Sequence, residues 1–133
     1  MKYLPDTNIW IHYLNPPVSP VKQKILSLSV SDILFCSVVK SELYFGAYNS
    51  VRKEANLALL AELFSQFKSL SFDDQAADTY GQIRTDLTKK GMLIGPNDLM
   101  IASTALAYDV TLVTHNVQEF SRVEGLKIED WEV

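Results

Sequence analysis

A three-layer α/β/α sandwich on a parallel sheet of four or five strands is the fold class this sequence predicts, and three observations predict it. Short apolar runs alternate with longer amphipathic stretches along the whole chain. Several runs are apolar on consecutive positions, the pattern of strands covered by helices on both faces. The 133 residues, 47% hydrophobic and 21% charged, contain no internal repeat, low-complexity stretch or Pro/Gly/Ser linker. Residues 1–133 therefore read as a single domain with its own core, near the usual size of ~150 residues.

The first strand is read over residues 2–6. Pro5 has no N–H for a sheet ladder and fits best at the strand's last position, where the chain leaves toward Asp6. Short helices follow over residues 8–14 and 20–28, the second opened by Pro20. Residues 33–37 are the second strand and 38–48 the next helix. From about Arg52, the residues Leu59, Leu60, Leu63, Phe64 and Phe67 line one helical face. Residues 68–72 form the third strand. Ala76, Tyr80, Ile83 and Leu87 line a helix that ends at Lys89-Lys90-Gly91, a basic last turn followed by a capping glycine. A helix over 96–108 carries the small residues Ala102, Ser103 and Ala105, suited to close packing. Residues 110–114 and 126–128 complete the strands.

Composition excludes several classes. Twelve Lys+Arg against sixteen Asp+Glu give a net charge of −4, which argues against a protein that grips nucleic acid by a broad basic face. The single cysteine, Cys36, lies in the apolar run Ile33-Leu34-Phe35-Cys36; it has no disulfide partner and is read as core. The amino terminus reaches a charge before a signal-peptide core can form, and no later run approaches the roughly 18 apolar residues of a membrane span. These features predict a soluble, unexported protein of the reducing cytoplasm with no membrane partner.

In open α/β sheets ligands bind outside the carboxyl ends of the strands. Asp6 ends the first strand, and Glu42 follows Ser37 by about one helical turn. Asp98 stands in the opening turn of its helix, and Asn116 follows the fourth strand. Three crowded carboxylates repel and raise one another's pKa unless a hard divalent cation, Mg²⁺ or Mn²⁺, sits among them. Each residue also has a local role. Asp6 can cap the helix after it, Asp98 suits the helix dipole, Asn116 with Glu119 has capping-box spacing, and Glu42 can be a solvated partner of Lys40 or Arg52. Spacing alone leaves both readings open.

The stretch from Lys2 to Ile11, with Asp6-Thr7-Asn8, resembles the opening of PIN-domain proteins, specifically VapC-type toxins of bacterial toxin–antitoxin pairs. The segment Ser37 to Gly46 resembles the one bearing their second acid, and Ile94 to Ala102 the one bearing their third. Thr111 to Phe120, with Gly125, Leu126 and Trp131 beyond, resembles their carboxyl-terminal strand, site turn and tail. The resemblance implies a PIN fold, Mg²⁺-dependent ribonuclease activity, a cognate antitoxin encoded beside the gene, and pairing as a homodimer. Two departures stand out: Asn116 replaces the aspartate many members carry, and Pro5 replaces an apolar strand residue.

On that reading Asp6 and Asp98 are the principal metal ligands. Glu42 is a ligand directly or through water and a proton acceptor, and Asn116 is an auxiliary ligand or orients water. Thr7, Asn8 and Thr114 are hydrogen-bond partners behind them. His12 and His115 read as exposed and not catalytic. Lys22, Lys24, Lys40, Arg52, Lys53, Arg84, Lys89 and Lys90 are phosphate contacts or solvated faces. Trp10, Tyr13, Tyr44, Phe45 and Tyr48 read first as core and otherwise as a surface for an antitoxin helix or partner subunit.

Other readings fit less well. An aspartyl-nucleophile phosphatase needs a second acid two residues after the first, where this chain has Asn8. A phosphoacceptor module needs a lysine after the fourth strand, and none occurs before Lys127. A PIN nuclease of RNA processing outside toxin–antitoxin systems is the remaining alternative.

Overall fold

The computed structural model describes residues 1–15 and 18–132. In chain order the elements are β1 (Tyr3–Pro5), α1 (Thr7–Leu14), α2 (Pro20–Ser27), β2 (Leu34–Cys36), α3 (Ser37–Tyr48), α4 (Lys53–Phe64) and β3 (Lys68–Leu70). They continue with α5 (Asp74–Lys90), α6 (Pro96–Ala107), β4 (Thr111–Val113), α7 (Val117–Phe120) and β5 (Ile128–Glu129). A 3₁₀ turn, Val30–Asp32, leads into β2 and was not anticipated.

All pairings are parallel. β1 pairs with β4 and β4 with β5; β2 pairs with β3; and one bridge, Tyr3 to Ile33, joins the two sets. The spatial order is therefore β3-β2-β1-β4-β5. Chain direction across the sheet reverses between β1 and β4, the switch point at which such folds open a ligand crevice. Right-handed crossovers then place α1–α4 on one face and α5–α6 on the other. Within the faces α1 packs against α2 and α3, α3 against α4, and α5 against α6, while α3 also meets α6, where Asn97 donates to Glu42. This is the predicted α/β/α sandwich.

Pro5 explains why β1 and β2 share only a bridge. Lys2 O accepts from Thr111 N–H and Asp6 N–H donates to Val113 O, each at 2.9 Å, so the even-numbered residues of β1 bond to β4. The odd-numbered residues face β2, and after Tyr3 the next donor on that side is Pro5, which has no N–H. Proline is tolerated in this central strand because it is the last residue and falls on the side where pairing stops.

The core is one continuous cluster of buried side chains. At its centre Trp10 stacks on Phe35, centroids 4.1 Å apart and planes 16° from parallel, with Phe67 edge-on to Trp10 at 5.2 Å. Phe67 reaches this cluster from the turn after α4 and not from the helix, which ends at Phe64. Leu59, expected on the buried face of α4, is exposed. Tyr44, Phe45 and Tyr48 are exposed as well, against the expectation of core, whereas Trp10 and Cys36 are fully buried. α5 ends as expected at Gly91, whose φ of 66° is the left-handed cap conformation. In α6 the buried hydroxyls of Ser103 and Thr104 donate to the carbonyls of Leu99 and Met100, at 2.6 and 2.8 Å, so this helix packs closely without stranded polar groups.

Candidate active site

The carboxyl edge at the switch point is acidic. Asp6 leaves β1 with its N–H on Val113 of β4 and its Oδ1 accepting from Ile9 N–H at 3.0 Å, so it is also the N-cap of α1. It is only 7% exposed. Its carboxyl is held above the ordinary aspartate range, chiefly by burial and further by the charges of Glu132 and Glu42; the Thr114 hydroxyl and Ile9 N–H work in the opposite direction.

Glu42 projects from α3 and is held by two other helices. The Thr7 hydroxyl at the start of α1 donates to Oε1, and Asn97 Nδ2 at the start of α6 donates to Oε2 at 3.4 Å. It is not the solvated partner of Lys40 or Arg52. Asp98 sits in the first turn of α6, fixed there by Pro96 at the helix start. Half-buried, its carboxyl is pushed up to about 6 by burial first, then by the charges of Glu119, Glu42 and Asp6.

Asn116 opens α7 without a capping hydrogen bond from its side chain, so the capping box suggested by its spacing to Glu119 is not formed. Its backbone N–H donates to Thr114 Oγ1 at 3.0 Å, and its side-chain amide donates to Glu119 Oε2 at 2.8 Å. Thr114 is thus a junction between Asp6 and Asn116. Glu119 faces Asp98 as a fourth acid at this edge; its spacing from Asn116 had suggested only a cap. Asn97 was also missed, because nothing in a helix's first turn marks which distant carboxylate it meets. Asn8 is exposed and takes no part in these bonds.

Among the described residues no lysine or arginine forms an ion pair with Asp6, Glu42, Asp98 or Glu119; Lys90 pairs with Asp86 and Lys127 with Asp109. The family model of the PIN domain matches residues 3–126. The chain belongs to the PIN-domain family. This PIN domain is 38% identical over 133 residues, 99% of each chain, to Ribonuclease VapC2 of Rickettsia felis. It is 37% identical over 131 residues, 98% of each chain, to the tRNA(fMet)-specific endonuclease VapC of Salmonella typhimurium. It superposes with a TM-score of 0.91 and 36% identity on a chain in the crystal structure of VapBC2 from Rickettsia felis bound to a promoter DNA fragment, covering 98% of this chain and 99% of that one.

The raised carboxyls of this PIN domain have a measurable consequence. The unfolded chain takes up the Asp98 proton near the ordinary value of 3.8, the folded chain already at about 6. Between those values the folded state binds more protons, so stability falls as pH rises through the window and increases as pH is lowered. Asp73, whose carboxyl Tyr108 holds down, acts only below that window. In EDTA the melting temperature is expected to be higher at pH 5 than at pH 7; a level or falling value contradicts this account.

Proposed function

We propose that this PIN domain is a metal-dependent ribonuclease of the VapC type that hydrolyses RNA phosphodiester bonds and is the toxin of a toxin–antitoxin pair. One observation supports the reading: Asp6, Glu42 and Asp98, with Glu119 acting on Asp98, oppose one another's ionisation at this edge, and among the described residues no lysine or arginine pairs with them, in a chain similar over its length to named ribonucleases. The donors are all oxygens, and Asp6 and Asp98 hold their protons abnormally tightly without a counter-charge, which fits a hard divalent cation, Mg²⁺ or in its place Mn²⁺. Asp6 and Asp98 would hold it, Glu42 directly or through water, with Asn116 Oδ1 as auxiliary. When bound, such a cation supplies Lewis acidity toward phosphoryl oxygens and offsets the negative charge of the site.

The chain's own residues do the positioning. Thr114 and the Ile9 N–H orient Asp6. Thr7 and Asn97 fix both oxygens of Glu42. So held, Glu42 accepts the proton that water loses as its oxygen bonds to phosphorus. As its bond to phosphorus breaks, the ribose oxygen leaves and takes a proton from solvent, giving a phosphomonoester and a free hydroxyl. Cys36 plays no nucleophilic part, since it is fully buried and its thiol is pushed up to about 11.

An apolar groove between α1, α3 and α4, lined by Ile11, Leu14, Leu43, Ala47, Leu59 and Leu60, has Glu42 among its lining residues. We assign it to the antitoxin, whose apolar segment there would lie beside the catalytic edge. No helix among the described residues is long and apolar enough to cross a membrane, and we place the activity on cytoplasmic RNA.

The test is incubation with total RNA followed by mapping of new ends, beside an Asp6→Asn control. The expected result is a small set of discrete ends absent from the control. No new ends, or the same ends with Asp6→Asn, contradicts the reading.

A further inference from the structure

A second set of metal-ligating atoms converges beyond β5. Asp130 and Glu132 lie in the tail that follows β5, and His115 in the turn that follows β4, its neighbour in the sheet. One ligand atom from each lies within 4.8 Å of the others. His115 Nδ1 is 3.0 Å from Asp130 Oδ2 and 3.9 Å from Glu132 Oε2. Around an ion bound at ~2.1 Å, adjacent ligand atoms stand roughly 3.0–3.4 Å apart. The first pair, now a hydrogen bond that an ion would replace, is already at that spacing, and the second closes with a shift of about half an ångström.

The frame around these atoms is fixed. Thr114 N–H, next to His115, donates to Glu129 O at 2.9 Å, which ties the two segments together. Trp131, between the two acids, is buried against Tyr3, with centroids 5.2 Å apart. Glu132 N–H donates to Asp130 Oδ1 at 2.9 Å, leaving Oδ2 toward His115. Glu132 Oε1 lies 3.5 Å from His12 Nε2 on α1, so its two oxygens are divided between the histidines.

Asp130 and Glu132 side chains are only 17% and 20% exposed, and among the described residues neither pairs with a lysine or arginine. The His115 side chain is 62% exposed and open to an ion from solvent.

We infer that His115, Asp130 and Glu132 form a site for a divalent transition-metal ion of the zinc class, separate from the carboxylate site at Asp6, Glu42 and Asp98. One imidazole and two carboxylates are a mixed nitrogen and oxygen donor set, which suits Zn²⁺ and excludes preference for Mg²⁺, an ion that favours oxygens alone. His12 is a positioning residue that holds Glu132. Filling the site pins the turn that leads into Asn116 to the tail.

The test titrates Zn²⁺ by calorimetry and by thermal shift into wild type and into an Asp6→Asn/Asp98→Asn variant, in which the carboxylate site is disabled. The variant is expected to keep one equivalent of Zn²⁺ and its rise in melting temperature. Adding His115→Ala to it, or Asp130→Asn, should weaken binding at least tenfold and remove the rise, with the melting temperature in EDTA showing that each chain folds. Loss of Zn²⁺ binding in the Asp6→Asn/Asp98→Asn background, or Zn²⁺ affinity unchanged by His115→Ala, overturns the site. Neither result bears on RNA cleavage, so this site and the proposed nuclease stand or fall separately.

Discussion

Asp98→Asn is expected to lower RNA cleavage by roughly 10²–10³-fold or more while making the metal-free protein more stable. The amide keeps the shape of the side chain and removes the charge that burial, Glu119, Glu42 and Asp6 all oppose. Because Asp98 is half-buried, solvent screening reduces the gain to about 1 kcal/mol, or ~3–5 °C in melting temperature for a chain of this size. An aspartate kept only for the dipole of α6 behaves differently: its amide lowers stability by a few tenths to 1 kcal/mol and leaves chemistry intact. Cleavage rate and melting in EDTA, measured on the same preparations, separate the two, since a charge kept for catalysis trades stability for activity and a dipole partner does not.

The sheet was legible because apolar runs on consecutive positions, such as Ile33 to Cys36, have no good alternative to a buried parallel strand. Gly91 after two lysines marked the end of α5 for an equally local reason. Strand order was less accessible, and Pro5 posed a puzzle in one dimension that resolves only when alternating hydrogen-bond directions show which neighbour loses a donor. Phe67 fitted the helical period of α4 yet packs from the following turn, because Phe35 and Trp10 reward its burial wherever the helix ends. Tyr44, Phe45 and Tyr48 were misjudged for the reverse reason, since the periodicity of an aromatic says nothing about whether a second layer covers it.

Asp6, Glu42 and Asp98 were proposed by the rule that ligands gather at strand ends. That rule locates an edge and not the residues that meet there. Glu119 therefore reads from sequence only as a cap for Asn116, since its bearing on Asp98 comes through the fold, and Asn97 has no sequence signal because it meets Glu42 across 55 residues of chain.

Removal of divalent metal has the largest effect expected of any change. Asp6, Glu42, Asp98 and Glu119 have no paired lysine or arginine among the described residues, and a phosphodiester brings further negative charge, so on the proposed mechanism cleavage is expected to depend on an added cation. RNA, itself an anion, is repelled by that edge until a cation is supplied. The decisive measurement is cleavage of one RNA, with mapped ends, in EDTA and after stepwise addition of Mg²⁺ or Mn²⁺ in excess of the chelator. The account predicts cleavage at background in EDTA and full return of the same ends with either ion. The same discrete ends appearing at an undiminished rate in EDTA would contradict it.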